Sequence, residues 1–252
     1  MGSTLKIAII GYGKMGHAVE SLAAKHDAEV VSIIDPSDRG AMHNTLTRES
    51  LDDADAAIDF SSSAGVMKNI KDVTRLGKDM VVGTTGWYDN LPEVRELVKG
   101  SGTGLVYSPN FSIGVNVFFQ IVRNASALFD RFPGYDPFVY EMHHNQKTDA
   151  PGGTAKHLGE IILENVKRKK RLAFDRINGR KIEKDELHVG SIRAGYIPGV
   201  HVAGFDGEAD TIELRHTARD RSGFAEGALF AANWVKGRKG VYSLEDILTK
   251  GA

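Results

Sequence analysis

LKIAIIGYGKMG, residues Leu5 to Gly16, runs from an apolar segment straight into three glycines. Leu5–Ile10 is short, partly β-branched and almost wholly apolar, as a strand covered on both faces should be. Gly11-Tyr12-Gly13-Lys14-Met15-Gly16 then fits G-x-G-x-x-G, and a helical pattern through Ala18, Leu22 and Ala23 follows. The glycine spacing alone is a weak signal; a strand before it and a helix after it give it meaning. In that setting Gly11 permits a tight turn, Gly13 lets the backbone approach a pyrophosphate, and Gly16 lets the helix pack close to the strand. The helix N-terminus then offers free N–H groups to the anion.

Working outward, the first half alternates strand and helix. Ala28–Pro36 reads as a second strand stopped by a proline, and Ala56–Ser63 as a third that ends in hydroxyl residues. Asp79–Trp87 and Gly104–Ser112 repeat the plan, with helices between, for example Pro92–Lys99. The pattern predicts a Rossmann-type doubly wound parallel sheet, an α/β fold whose ligands bind beyond the carboxyl ends of the strands. Asp35 ends the second strand 19 positions after Gly16, near the spacing of a ribose-binding carboxylate. That favours NAD. Arg39, four residues on, could hold the extra phosphate of NADP, so NADH and NADPH both stand open. Gly83-Thr84-Thr85-Gly86 and Ser108-Pro109-Asn110-Phe111 fall at the same sheet edge and, read with the glycine loop, are candidates to contact the nicotinamide and its ribose.

The second half changes character. A helix around Val115–Asp130 leads to Asp136–His144, where Phe138, Tyr140 and Met142 alternate with Val139, Glu141 and His143, the period of a strand with one buried face. A helix is predicted over Thr154–Lys169, then antiparallel strands and hairpins through HVGSIRAG and VHVAGFDGEADTIELRHTA, and a last helix over Gly223–Lys236 that returns to the first domain. We expect a dinucleotide-binding domain of residues 1–111 and 218–252. A second α+β domain of residues 112–217, on an open mixed sheet, is expected to bind substrate and mediate oligomerisation.

EMHHNQKTDAPGGTA, Glu141 to Ala155, gathers two histidines, a lysine and a glycine-rich turn in fifteen residues. Neighbouring side chains on a strand point to opposite faces, so His143 and His144 cannot share one metal while the strand continues. With no companion carboxylate cluster apparent, a zinc site is not expected. Past the strand's end the imidazoles and Lys147 can converge on a small anion. Pro151 sets up a helix start, where Gly152, Gly153 and Thr154 leave free N–H groups and a hydroxyl. The matching ligand is a compound with more than one carboxylate that undergoes proton transfer.

Composition narrows the remaining classes. Without cysteine there are no disulfides, Cys-ligated zinc or iron–sulfur clusters. A net charge of −1 offers no general attraction to nucleic acid or anionic membrane. The basic run Lys167–Arg171 reads as solvated cations complementing the dipole of the helix before it. The short apolar run at Ile7–Ile10 is no signal peptide and nothing else is long enough to span a bilayer, so a cytoplasmic protein is expected.

G-x-G-K-M-G, VGTTG, SPNFSIGVN, E-x-HHxxKxDAPxGTA, SIRAG and the closing FAxGAxxAAxW with GVYSLEDIL together resemble dihydrodipicolinate reductase (4-hydroxy-tetrahydrodipicolinate reductase). The resemblance covers nearly the whole chain, and its HHxxKxDAPxGTA block is highly specific. It implies NAD(P)H-dependent reduction of a cyclic dicarboxylate in diaminopimelate and lysine biosynthesis. His143 and Lys147 are implied as the catalytic pair, and His144, Gly153 and Thr154 as substrate-binding. The glycine loop (Gly11, Tyr12, Gly13, Lys14, Met15, Gly16), Asp35 with Arg39, Gly83–Thr85 and Ser108–Phe111 are implied to bind NADH or NADPH, and the assembly to be a homotetramer built through the sheets of the second domain. The chain departs from the pattern at Gly152, where many members carry serine, in a glycine loop one residue shorter than GxxGxxG, and at Asp35, where Glu is frequent. An amino-acid dehydrogenase on the same plan would share the glycine loop without needing HHxxKxDAP. A non-catalytic dinucleotide sensor would not need the His143/Lys147 pair.

Overall fold

The computed structural model describes residues 4–174 and 179–249. Strand β1 (Leu5–Ile10) leads through the glycine loop into α1 (Lys14–Ala23), then β2 (Ala28–Ile34), the short α2 (Arg48–Leu51), β3 (Ala56–Asp59), α3 (Val66–Arg75), β4 (Asp79–Val82), α4 (Leu91–Ser101) and β5 (Gly104–Tyr107). Helix α5 (Ile113–Phe129) is followed by β6 (Asp136–His143), α6 (Gly153–Asn165), β7 (Arg171–Phe174), β8 (Glu186–Arg193), β9 (Val200–Asp206) and β10 (Thr211–Thr217). The chain closes with α7 (Ser222–Val235), β11 (Gly240–Ser243) and α8 (Leu244–Thr249). It divides into two compact units, residues 1–116 with 221–252, and residues 117–220.

The first unit is built on a six-stranded sheet in the order β11-β5-β4-β3-β1-β2, and its paired strands are all parallel. The alternation of β1 explains its apolar run. Leu5, Ile7 and Ile9 enter a core lined by α1 and α7, while Ala8 and Ile10 enter the opposite core with Val66, Ile70, Val73, Val94 and Val98 of α3 and α4. Helix α7 packs on α1 and against the middle of this sheet. Strand order reverses about β1, with β2 on one side and β3 on the other, which makes the carboxyl end of β1 the switch point where ligands bind in such sheets.

The second unit holds a mixed five-stranded sheet in the order β10-β9-β6-β8-β7. Its β9–β10 pair is antiparallel, as the hairpin signals predict, and β6 also pairs antiparallel with β9. Strand β8 departs from the expected antiparallel reading, because it runs parallel to both β6 and β7. The chain returns from β6 through α6, and a strand reached by such a crossover lies parallel to its starting strand. Val139, Val189 and Ala203 face α6 and its apolar residues Ala155, Leu158, Ile161 and Ile162. By register Phe138, Tyr140, Met142 and Ile192 share the other face.

The basic run is also read differently in the fold. Helix α6 ends at Asn165, so Lys167–Arg171 does not lie on its last turn. The backbone N–H of Lys167 donates to Asp130 Oδ1 (2.9 Å), and Arg168 pairs with the same carboxylate (3.4 Å). Lys169 is buried, with Nζ donating to the carbonyl of Glu186 (2.7 Å) and paired with Asp136. A solvated stripe would leave all these cationic groups in water; here Lys169 holds the α6–β7 connection to the sheet.

Candidate active site

At the carboxyl end of β1 the glycines divide three tasks. Gly11 has φ +90°, and a Cβ there would stand 2.5 Å from the carbonyl oxygen of Phe60. A Cβ on Gly16 would stand 2.4 Å from the carbonyl oxygen of Gly11, which is the close helix–strand approach the spacing predicts. Gly13 faces open space, and α1 begins there with neither a side-chain cap nor an acidic residue in its first turn. The uncapped N–H groups are available to an anion and the open side of Gly13 leaves room for it, so the loop fits a dinucleotide pyrophosphate.

The loop is held by Asp35. Its Oδ2 accepts from the N–H of Tyr12 (2.8 Å), and its Oδ1 from those of Ser37 (2.8 Å) and Asp38 (3.1 Å). Partial burial pushes its pKa up, but these three bonds outweigh it and keep the carboxyl below its ordinary value. Tyr12 stacks on His17 (3.9 Å between centroids) and donates its hydroxyl to Glu20. Lys14 and Arg39 are exposed, and Met15 packs against the first core.

The neighbouring strand ends hold several predicted residues in internal work. Asp59, at the end of β3, is fully buried and accepts from Thr84 Oγ1 (2.6 Å), Asn69 Nδ2 (2.8 Å), and the hydroxyl (2.9 Å) and N–H (3.0 Å) of Ser61. Burial raises its pKa in spite of those bonds. The Thr84 hydroxyl is therefore committed to Asp59 and its carbonyl to the Trp87 indole (2.9 Å), while Thr85 stays exposed. Gly83 lies against the Phe60 ring, where a Cβ would meet Cε1 at 2.1 Å. Ser108 donates to the carbonyl of Asn110 (2.7 Å) and Phe111 is core, so Pro109 and Asn110 are the more accessible members of SPNF. Sequence reasoning passed over Asp59; the signal was an aspartate at the end of an otherwise apolar strand.

In the second unit the chemistry gathers around Glu141, also not singled out as a site residue. Its side chain is wholly buried. Oε1 accepts from Arg193 of β8 (2.6 Å) and from the N–H of Gly152 at the start of α6 (2.8 Å). Oε2 lies 3.4 Å from Nε2 of His143 and 3.5 Å from Nε2 of His201 on β9. Burial opposes ionisation of Glu141, yet His201, Arg193 and the Gly152 amide hold its pKa far below the usual range. Burial pushes the His143 imidazole down; Glu141 opposes that, while His201, Lys147 and Arg193 reinforce it.

Lys147 Nζ donates to Asp149 (2.6 Å), and its N–H closes a turn onto the carbonyl of the half-buried His144 (3.2 Å). Arg193 fastens this loop through the carbonyls of Lys147 (3.3 Å) and Asp149. Pro151 stands ahead of α6 after a cis peptide bond, Gly152 is the N-cap without a side-chain cap, and Gly153 opens on free space. A Cβ on Gly152 would stand 2.9 Å from Glu141 Oε2 and 3.0 Å from Lys147 Cε, so a serine here would require its neighbours to shift. His143, Lys147 and the helix start bearing Gly153 and Thr154 thus share one corner of the unit.

Glu141, His143 and His201 each offer a ligand atom within 4.8 Å of the others, a companion carboxylate that the sequence reading lacked. Arg193 and Lys147 place two positive charges beside that carboxylate, which argues for an ion-paired network rather than a cation site.

Residues 5–111 match the family description "Dihydrodipicolinate reductase, N-terminus" and residues 114–248 "Dihydrodipicolinate reductase, C-terminus". The chain belongs to the dihydrodipicolinate reductase family. It is 34% identical to a 4-hydroxy-tetrahydrodipicolinate reductase of Christiangramia forsetii, over 97% of this chain and 98% of that one. It is 35% identical to the enzyme of the same name from Methanosarcina barkeri, over 97% and 99%. A dipicolinate-bound dihydrodipicolinate reductase from Paenisporosarcina sp. TG-14 superposes with a TM-score of 0.79 at 27% identity, covering 97% of this chain and 99% of that one. Membership of the reductase family agrees with the glycine-loop geometry and makes this chain an oxidoreductase that uses a nicotinamide dinucleotide.

Proposed function

We propose that His143 is the general acid of this reductase, that Lys147 binds the substrate and assists protonation, and that His144, Gly153 and Thr154 hold the substrate's carboxylates. The chain is an NAD(P)H-dependent oxidoreductase of diaminopimelate and lysine biosynthesis, reducing the dihydrodipicolinate formed from 4-hydroxy-tetrahydrodipicolinate to tetrahydrodipicolinate. A nicotinamide dinucleotide bound at the glycine loop supplies the hydride. The reduction adds that hydride and one proton across the conjugated C=C–C=N system, so the chain must deliver a proton to the electron-rich substrate.

The observation that carries the assignment is the meeting of His143 and the start of α6 at one buried carboxylate, with Lys147 alongside. An imidazole has its ordinary pKa near neutrality, which suits proton delivery there. The surroundings of His143 hold its pKa below that value, and an arriving dicarboxylate brings negative charge that favours the protonated ring. Substrate binding thereby loads the proton donor. The uncapped N–H groups of α6 and the Lys147 ammonium both suit carboxylates, and dipicolinate, bound by the Paenisporosarcina relative, is a dicarboxylate of this kind.

On the cofactor side, Asp35 accepts the ribose 2′-hydroxyl of NADH and repels the 2′-phosphate of NADPH, with Arg39 available to offset that repulsion. Asp35→Ala loosens the loop for both cofactors, since Tyr12 loses its acceptor, but removes repulsion only for NADPH. The ratio of kcat/KM for NADH to that for NADPH should therefore fall; an unchanged ratio would take Asp35 out of the ribose site. The open face of the second sheet, bearing Phe138, Tyr140, Met142 and Ile192, is read as the surface joining four copies of the chain, which sedimentation checks by mass. The whole reading is tested by following NADH or NADPH absorbance with enzymatically generated dihydrodipicolinate. Turnover with at least one cofactor is expected, and none with either would favour the sensor.

A further inference from the structure

Glu141 is placed unlike an ordinary buried carboxylate. Oε1 is taken by Arg193 (2.6 Å) and the Gly152 amide (2.8 Å), which fix the plane of the carboxyl group. Oε2 is left facing the buried Nε2 of His143 at 3.4 Å, with Nε2 of His201 at 3.5 Å. Register explains the grouping. Glu141 and His143 are two apart on β6 and share a face, His201 lies directly opposite Glu141 on β9, and Arg193 lies opposite His143 on β8. The ring of His143 is confined on its other side by Gly199, where a Cβ would stand 3.0 Å from Cε1.

We infer that Glu141, braced by Arg193 and His201, is the positioning residue of the reduction: it fixes the His143 ring with Nε2 turned inward, leaving Nδ1 as the nitrogen that serves the substrate. An acid–base imidazole oriented by a buried carboxylate is a recurrent arrangement, because the orienting anion sets the tautomer and stabilises the protonated ring. The charged groups facing His143 are Glu141 on its own strand, His201 on β9, Arg193 on β8 and Lys147 on the following loop. Only Glu141 is an anion, so it alone favours the protonated ring against three cationic or titratable neighbours. Its bond to the Gly152 amide also couples the ring's orientation to the helix start where the substrate's carboxylates are held.

The inference rests on His143 being the proton donor, and the test keeps the two apart. Glu141→Gln retains the shape and an oxygen for Arg193 and Gly152 but removes the charge. Titration of His143 is followed by ring-proton NMR, beside kcat and KM as functions of pH. In E141Q the ring should release its proton at lower pH than in the parent, and kcat at neutral pH should fall about 10–100-fold with KM within about threefold. Part of the lost kcat should return as the pH is lowered. A folded E141Q in which His143 titrates as in the parent overturns the inference and leaves the role of His143 intact. A displaced titration with a parental kcat profile overturns the role of His143, and the positioning role with it. Glu141→Asp keeps the charge and withdraws it from the ring, so it gives the same readout if E141Q does not fold. A smaller shift and loss of kcat are expected there, and parental behaviour in both measurements overturns the inference.

Discussion

His143→Gln lowers kcat by about 10²–10⁴-fold, the usual worth of general acid catalysis, while affinity for NADH or NADPH barely moves. The glutamine amide is polar and near the size of the ring, but it has no titratable proton to give. His143 also contacts Glu141, which is buried and ionised, so some loss of stability is expected as well. Melting temperature and steady-state kinetics on the same preparation separate the two effects, because a purely structural lesion lowers the folded fraction and spares kcat in what remains folded. Lys147→Met gives a different signature. It removes the ammonium now paired with Asp149 at 2.6 Å and available to a substrate carboxylate, so KM should rise, and kcat should fall too if the ammonium assists protonation. A His143→Gln enzyme with near-parental kcat would sink the assignment.

Gly13→Val abolishes NAD(P)H binding while leaving the melting temperature close to the parent's. A Cβ at Gly13 meets nothing within 4 Å, so the fold has no objection to the added side chain. The isopropyl group instead occupies the space through which a pyrophosphate reaches the uncapped N–H groups of α1. Gly11 is the contrast. With φ +90° and the Phe60 carbonyl 2.5 Å from its absent Cβ, Gly11→Ala must disturb the β1–β3 contact and lower the melting temperature. Calorimetric titration with NADH and NADPH, beside thermal melts of both variants, tests the division. Parental cofactor affinity in Gly13→Val would remove the loop from the cofactor site.

The residues that hold Thr84, Ser108 and Phe111 show where family likeness and local chemistry diverge. All three belong to motifs expected to touch cofactor, yet the Thr84 hydroxyl is spent on Asp59, Ser108 bonds within its own loop, and Phe111 packs edge-on against Phe60 at 6.2 Å. Their side chains shape the loops, and the loops present Thr85, Pro109 and Asn110. Motifs record which residues recur, but they do not distinguish a side chain that meets a ligand from one that holds the turn.

The parts determined by the sequence alone are those whose cause is local. Leu5–Ile10 is apolar on both faces except at Lys6, which marks a strand with helices on both sides; three glycines between that strand and a helical pattern mark a turn into a helix; an apolar strand running up to Asp35 puts a carboxylate near that turn. His143, Lys147 and the Gly152–Thr154 helix start lie within twelve residues of one another, close enough for a turn to gather them. What only the tertiary structure decided depends on strand register between distant segments. Glu141 and His201 are 60 positions apart (201 − 141), and nothing in either segment announces that the antiparallel pairing of β6 with β9 sets them face to face. Arg193 reaches the same carboxylate because the crossover through α6 makes β8 parallel to β6, and Lys169 is buried because the chain turns at Val166 onto Glu186. A side chain's periodicity tells which face it occupies; which charges it meets there is set by the pairing of strands, and that pairing is the property of the folded sheet.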